Sequence, residues 1–168
     1  NGQKPLPLGK SLSFLEDKKG ILTFDDILKE NHDQKYFKLD NDSPNLGWTD
    51  SYYWIKFSLT NESDLNSFYY ILYEFPGIDS IEFYQNIKGK WAKEESGDLI
   101  PFTQKKISHR FFSFKVSPQK NSVYYMRIKN TAAMRVPLKI YAPIDYEEDK
   151  LNGVLGFSFF IGLLTIMV

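Results

Sequence analysis

The sequence predicts an all-β domain, a jelly-roll β-sandwich, followed by the start of a transmembrane helix. Three observations lead there. Short stretches of alternating apolar and polar residues recur between turn formers over residues 11–143. Aromatic residues make up 17% of the chain, with 14 Phe and 11 Tyr, and these residue types favour strands. Finally, the run from Leu151 to Val168 contains no charge.

The elements follow in order. SLSFL, Ser11 to Leu15, predicts a first short strand, and Asp17-Lys18-Lys19-Gly20 a turn. TFDDILKEN predicts a short helix capped by Thr23, with Asp25 and Asp26 at its positive end. Those two carboxylates are adjacent and face different directions, so they start a helix rather than form a catalytic pair. KLDNDSPNLGW is dense in turn formers. Asp40 and Asp42 raise a calcium loop, but Pro44 and Asn45 stand where the EF-hand pattern needs a further ligand and glycine.

Strands then come in series. YWIKFSLTN sets Tyr53, Ile55, Phe57 and Leu59 against Trp54, Lys56, Ser58 and Thr60. FYYILYEF is apolar on both faces, as in a central strand, and Pro76-Gly77 turns the chain. IDSIEFYQN alternates Ile81 and Phe83 with Glu82 and Tyr84, and Lys88-Gly89-Lys90 leads to a short strand near Trp91. FFSFKVS, VYYMRIKN and PLKIYAP complete eight or nine strands.

Composition excludes several functions. With 21 basic and 21 acidic residues the net charge is zero, which argues against a nucleic-acid binder. The absence of cysteine removes disulfides, thiolate nucleophiles and thiolate metal sites, and fits a cytosolic or periplasmic domain. His32 and His109 are the only histidines, and neither has zincin spacing; no glycine-rich phosphate loop occurs. Glu94-Glu95 and Glu147-Glu148 are adjacent pairs that cannot flank a glycosidic bond. No enzyme activity, cofactor or metal is expected.

The tail GVLGFSFFIGLLTIMV has only Ser158 and Thr165 as polar residues. Eighteen helical residues rise roughly 27 Å, against about 30 Å of bilayer core. The run is apolar all round, unlike a core helix with one polar face. Gly153, Gly156 and Gly162 suit a membrane helix. The flank Asp145, Glu147, Glu148, Asp149, Lys150 lacks the basic excess of a cytoplasmic side, which puts the domain outside the cytoplasm. Residues 1–143 then form a domain outside the cytoplasm, and 144–168 a connector and the first part of a membrane helix.

Two features point to a ligand. The second faces of the strands combine rings with charge: Trp54 with Lys56, Tyr84 with Glu82, Tyr125 with Arg127. A sugar stacks its C–H face on such rings while its hydroxyls bond sideways; the plainer reading is that amphipathic side chains cover an exposed sheet. GDLIPFTQKKISHRFFSF gathers Lys105, Lys106, His109 and Arg110, which could receive an anionic or hydroxylated ligand. Its plainer reading is a solvated loop pinned by an Asp98–Arg110 pair. The candidate binding residues are Trp54, Lys56, Asp98, Lys105, His109 and Arg110.

The stretches LSFLEDKKGILTFDDIL, NLGWTDSYYWIKFSLTN, FPGIDSIEFY, GDLIPFTQKKISHRFFSF and VPLKIYAP, in this order and spacing, resemble the type 2 extracellular sensor domain of bacterial 7TMR-DISM receptors. These are seven-transmembrane receptors with diverse intracellular signalling modules. The resemblance spans about Leu12 to Pro143. It implies a periplasmic jelly roll, similar to carbohydrate-binding modules, in an inner-membrane protein. The tail would be the first of seven helices, and a small molecule or carbohydrate the ligand. The family usually has Arg at the positions of Lys105 and Lys56. Lysine keeps the charge there but loses the planar fork. The alternative is a periplasmic protein-interaction module, a homodimer included. Nucleic acid is not an expected partner.

Overall fold

The structure, a computed structural model, describes residues 4–29, 35–62, 67–100 and 109–153. Among the described residues nine strands form two sheets: β1 (Leu6–Pro7), β2 (Ser13–Asp17), β3 (Tyr52–Leu59), β4 (Tyr69–Tyr73), β5 (Ser80–Ile87), β6 (Lys90–Ser96), β7 (Phe112–Val116), β8 (Ser122–Lys129) and β9 (Leu138–Tyr141). One sheet has four strands in the order β1-β9-β4-β7, the other five in the order β2-β3-β8-β5-β6. Every pairing is antiparallel. Two α-helices accompany them among the described residues, α1 (Phe24–Lys29) and α2, residues 143–153.

The period-2 pattern fixes which residues point inward. Ile55 and Phe57 of β3, Phe83 of β5, Met126 and Ile128 of β8 meet Ile71 of β4 and Phe114 of β7 in one core between the sheets. The rings of Phe83 and Phe114 stack across it at 4.6 Å. β4 is apolar on both faces because it is central: Ile71 and Tyr73 enter the inner core, while Leu72 joins a separate cluster on the outer face.

Two details depart from or refine the expected boundaries. The first strand of the large sheet runs from Ser13 to Asp17 rather than from Ser11, because Gly9–Ser11 forms a 3-10 turn closed by Leu12 N–H on Gly9 O. That turn lies hard against the neighbouring loop; a Cβ on Gly9 would stand 2.3 Å from the Asn41 carbonyl oxygen. The β5–β6 hairpin turns on Lys88 and Gly89, with φ of 52° and 84°. Two successive positive φ values match the right-handed twist of the strands on either side.

Asp40 pairs with Lys10 at 3.1 Å, and no cluster suited to a metal occurs among the described residues. No helix among the described residues is long and apolar enough to cross a membrane. Most of the expected membrane helix, residues 154–168, lies outside the described residues.

Candidate functional site

Each sheet has an outer face, and each face is covered. On the five-stranded sheet, Trp54, Tyr84 and Tyr125 do alternate away from the inner core as the pattern requires. They do not meet solvent, because α1 lies over them. Thr23 accepts the Asp26 N–H at its hydroxyl, and Asp26 accepts the Thr23 N–H in return, a reciprocal cap. Phe24 and Ile27, three residues apart, then share the face of the helix turned to the sheet. The Phe24 ring stacks on Tyr84 at 4.0 Å and meets Trp91 and Tyr125 edge-on at 5.1 and 5.7 Å. The turn before the helix is fixed by Asp17, whose carboxylate accepts the Ile21 and Leu22 N–H groups. Arg127 donates to Gly20 O at 2.9 Å and to Glu82 at 3.4 Å.

Trp54 is consequently 0% exposed, and neither face of its ring is open to a ligand here. Lys56 is half-buried, with its ammonium 5.8 Å from the Tyr36 ring. The Tyr84 hydroxyl donates to Glu82 at 2.6 Å; burial first, then that carboxylate, pushes the phenol up, so it stays protonated.

On the four-stranded sheet the cover is α2, and its chemistry differs. Pro143 opens the helix at the position where a missing N–H costs nothing. Tyr146 and Asp149, three apart, face the sheet. Tyr146 is 1% exposed. Its ring stacks on Tyr70 at 3.8 Å and lies 4.9 Å from His109, and its hydroxyl is 3.4 Å from Ser113 Oγ. Arg110 Nη2 donates to both oxygens of Asp149, at 2.8 and 3.1 Å. His109 Nε2 stands 3.3 Å from the same carboxylate.

The tautomer of His109 follows from its other nitrogen. Nδ1 accepts the Phe111 N–H at 3.1 Å, so Nε2 holds the proton, near Asp149 but without the geometry of a hydrogen bond. Burial lowers the imidazole pKa below its ordinary value; Arg110 and Lys150 lower it further, and Asp149 works against them. His109 is therefore neutral near pH 7. Protonating Nδ1 would cost the Phe111 bond.

Of the six residues expected to bind ligand, the five among the described residues do not gather in one place. Trp54 and Lys56 lie on one sheet, and His109 and Arg110 beside the other. Asp98 is exposed and its backbone N–H bonds to Ile78 O. It does not pin Arg110, as the plainer sequence reading held; Asp149 does. Lys105 lies outside the described residues. Tyr146 and Asp149 escaped the sequence reading because they sit in DYEEDK, whose acidity was read only as a membrane flank. Their i, i+3 spacing was the available signal.

Two clefts open among the described residues. One, of about 600 Å3, opens at an end of the sandwich between β5 and β7 and is lined by Gln85, Asn86, Lys115, Ser117, Gln119 and Tyr124. Gln85 Nε2 crosses from sheet to sheet to bond Lys115 O at 3.3 Å. The second, of about 420 Å3, lies beside β1 and the first turn of α2.

A family model described as 7TMR-DISM extracellular 2 matches residues 9–142. The chain belongs to the 7TMR-DISM extracellular 2 family. No curated protein matches it. As a 7TMR-DISM extracellular domain it is a receptor sensor domain, not a member of a known enzyme family, and it lies in the periplasmic or extracellular region of an inner-membrane protein. The family match stops at Ala142, one residue before α2 begins. The clamp of His109 and Arg110 on Asp149 thus joins the 7TMR-DISM extracellular unit to the segment that follows it.

Proposed function

We propose that this domain is a jelly-roll sensor that takes a small carbohydrate-like ligand and reports its presence through α2 to the membrane helix expected after Gly153. The observation that supports this reading is the position of β7. Its far end supplies Lys115, and the residue after it, Ser117, to the amide-lined cleft, and its near end supplies Ser113, next to His109 and Arg110, to the joint with α2. A cleft of about 600 Å3 falls in the range of small-molecule sites. Its two primary amides of glutamine and one of asparagine offer donors and acceptors in pairs, as neighbouring hydroxyls require. A ligand acts on α2 only if it binds the docked and undocked states with different affinity.

The test uses the 168-residue chain in detergent micelles with a panel of neutral mono- and disaccharides. At least one should bind saturably by calorimetry, should lose affinity at least tenfold in Gln85→Ala/Gln119→Ala, and should change amide exchange over 143–153. Absence of binding to every saccharide, or binding that leaves α2 exchange unaltered, would overturn the reading.

One observation favours a second reading, a protein-interaction or dimerisation module. Trp48 is 80% exposed in the loop between Asp40 and Ser51, and large bare aromatics mark contact surfaces. A concentration-dependent dimer in light scattering, abolished by Trp48→Ser, would establish it.

A further inference from the structure

The second cleft has a feature that the first lacks. Leu6, Leu59 and Ile140 line it beside the polar Thr60 and Asn61, and so does Asp145 of α2. Asp145 is 8% exposed, and its Oδ2 is buried with no hydrogen-bond partner among the described residues. A buried carboxylate oxygen without a donor is a costly arrangement, and native proteins hold few of them. Other carboxylates that reach under the surface among the described residues are met by donors: Asp17 by two backbone N–H groups, Asp149 by Arg110, Glu74 by Tyr141 and Lys139. Asp145 is the exception among these, and it is the one beside a cavity. Lys4, also on the lining, is exposed and makes no ion pair with Asp145.

We propose that this cleft binds a small amphipathic cation, an apolar body carrying a protonated amine, with the amine completing Asp145. The volume of about 420 Å3 lies within the range of small-ligand sites, and apolar walls with one aimed polar group are the usual make-up of such sites. The ammonium supplies several N–H donors and a charge to match the carboxylate. The two clefts are alike in the apolar share of their walls, and the buried carboxylate sets this one apart. The location gives binding a consequence. Asp145 is one residue before Tyr146, the ring that docks α2 on the sheet, so a ligand here bridges β1, β3, β9 and α2 directly. Binding would hold the first turn of α2 against the sandwich and stabilise the docked state.

The probe is phenethylammonium, with 2-phenylethanol as its uncharged counterpart, titrated by calorimetry into the 168-residue chain in detergent micelles. Phenethylammonium should bind saturably and at least tenfold more tightly than the alcohol, and should slow amide exchange over 143–153. Asp145→Asn should reduce its affinity at least tenfold. Leu59→Trp, which fills the cleft and leaves the carboxylate intact, should do the same, so the result does not hang on one variant. Gln119→Ala, in the other cleft, should leave amine binding unchanged. Equal affinity for amine and alcohol, or undiminished affinity in Asp145→Asn and Leu59→Trp, would overturn the proposal. Neither outcome bears on saccharide binding, which Asp145 does not line.

Discussion

The outer face of the large sheet is closed by α1 through rings and aliphatic carbons; the outer face of the small sheet is closed by α2 through one phenol, one imidazole and a bidentate ion pair. Around Phe24, four aromatic contacts lie within 6.2 Å, and ring stacking of that kind does not depend on a charge. Around Asp149, each contact depends on charge or on a proton at a stated atom. The first cover is therefore part of the folded body, and the second is a joint. A sensor needs both: a rigid sheet as reference, and one element whose attachment is weak enough for a ligand to shift.

The contrast can be broken or sharpened by substitution. The largest effect is expected from Trp54→Ala, which removes a fully buried indole under α1. A loss of about 3–5 kcal/mol in urea denaturation, with global unfolding, is the expected result. A loss below about 1 kcal/mol would mean that α1 is not a true seal. Tyr146→Ala should be smaller for the whole domain, on the order of 2–3 kcal/mol, since α2 can leave without melting the sandwich. Its signature is fast amide exchange confined to 143–153, with the core strands still protected.

Thr23→Ala removes one half of the reciprocal cap of α1 and should cost about 1 kcal/mol in the same melts. Asp149→Asn should cost only about 0.5–1 kcal/mol, because the Arg110 side chain is 50% exposed and water screens the pair. Amide exchange in α2 rather than the melting temperature is the sensitive readout. If Asp149→Asn unfolds the whole domain, the joint is not separable from the body.

The smallest effect is one of pH. The native pKa of His109 lies below its unfolded value of about 6.5. In that window the unfolded chain binds more protons than the native one, so stability rises with pH. The contribution is fully present above about pH 6.5 and is lost as pH falls through the lower native value. Thermal melts from pH 7.5 to 5 should show the loss, and His109→Gln should flatten the profile in that range.

Much of the domain was legible in the sequence, because side-chain alternation in a strand is a local property. Trp54 and Lys56 were correctly assigned to the second face of β3, and Thr23 to the start of α1. The apolar character of β4 on both faces correctly marked a central strand. The pattern says which face a residue takes but not what covers that face. Whether Trp54 stacks on a ligand or on the chain itself depends on Phe24, 30 residues earlier in sequence.

The sequence by itself thus determined the strands, their inner and outer faces and the capped helix, since each depends on neighbours within a few residues. Tertiary structure alone decided that α1 shields the aromatic face, that Arg110 meets Asp149 rather than Asp98, and that Asp145 is buried without a donor beside a cleft. Those outcomes rest on pairs far apart along the chain, 39 residues for Arg110 and Asp149. Contacts between such distant residues are set by how sheets and helices pack in three dimensions, which periodicity along one segment does not encode.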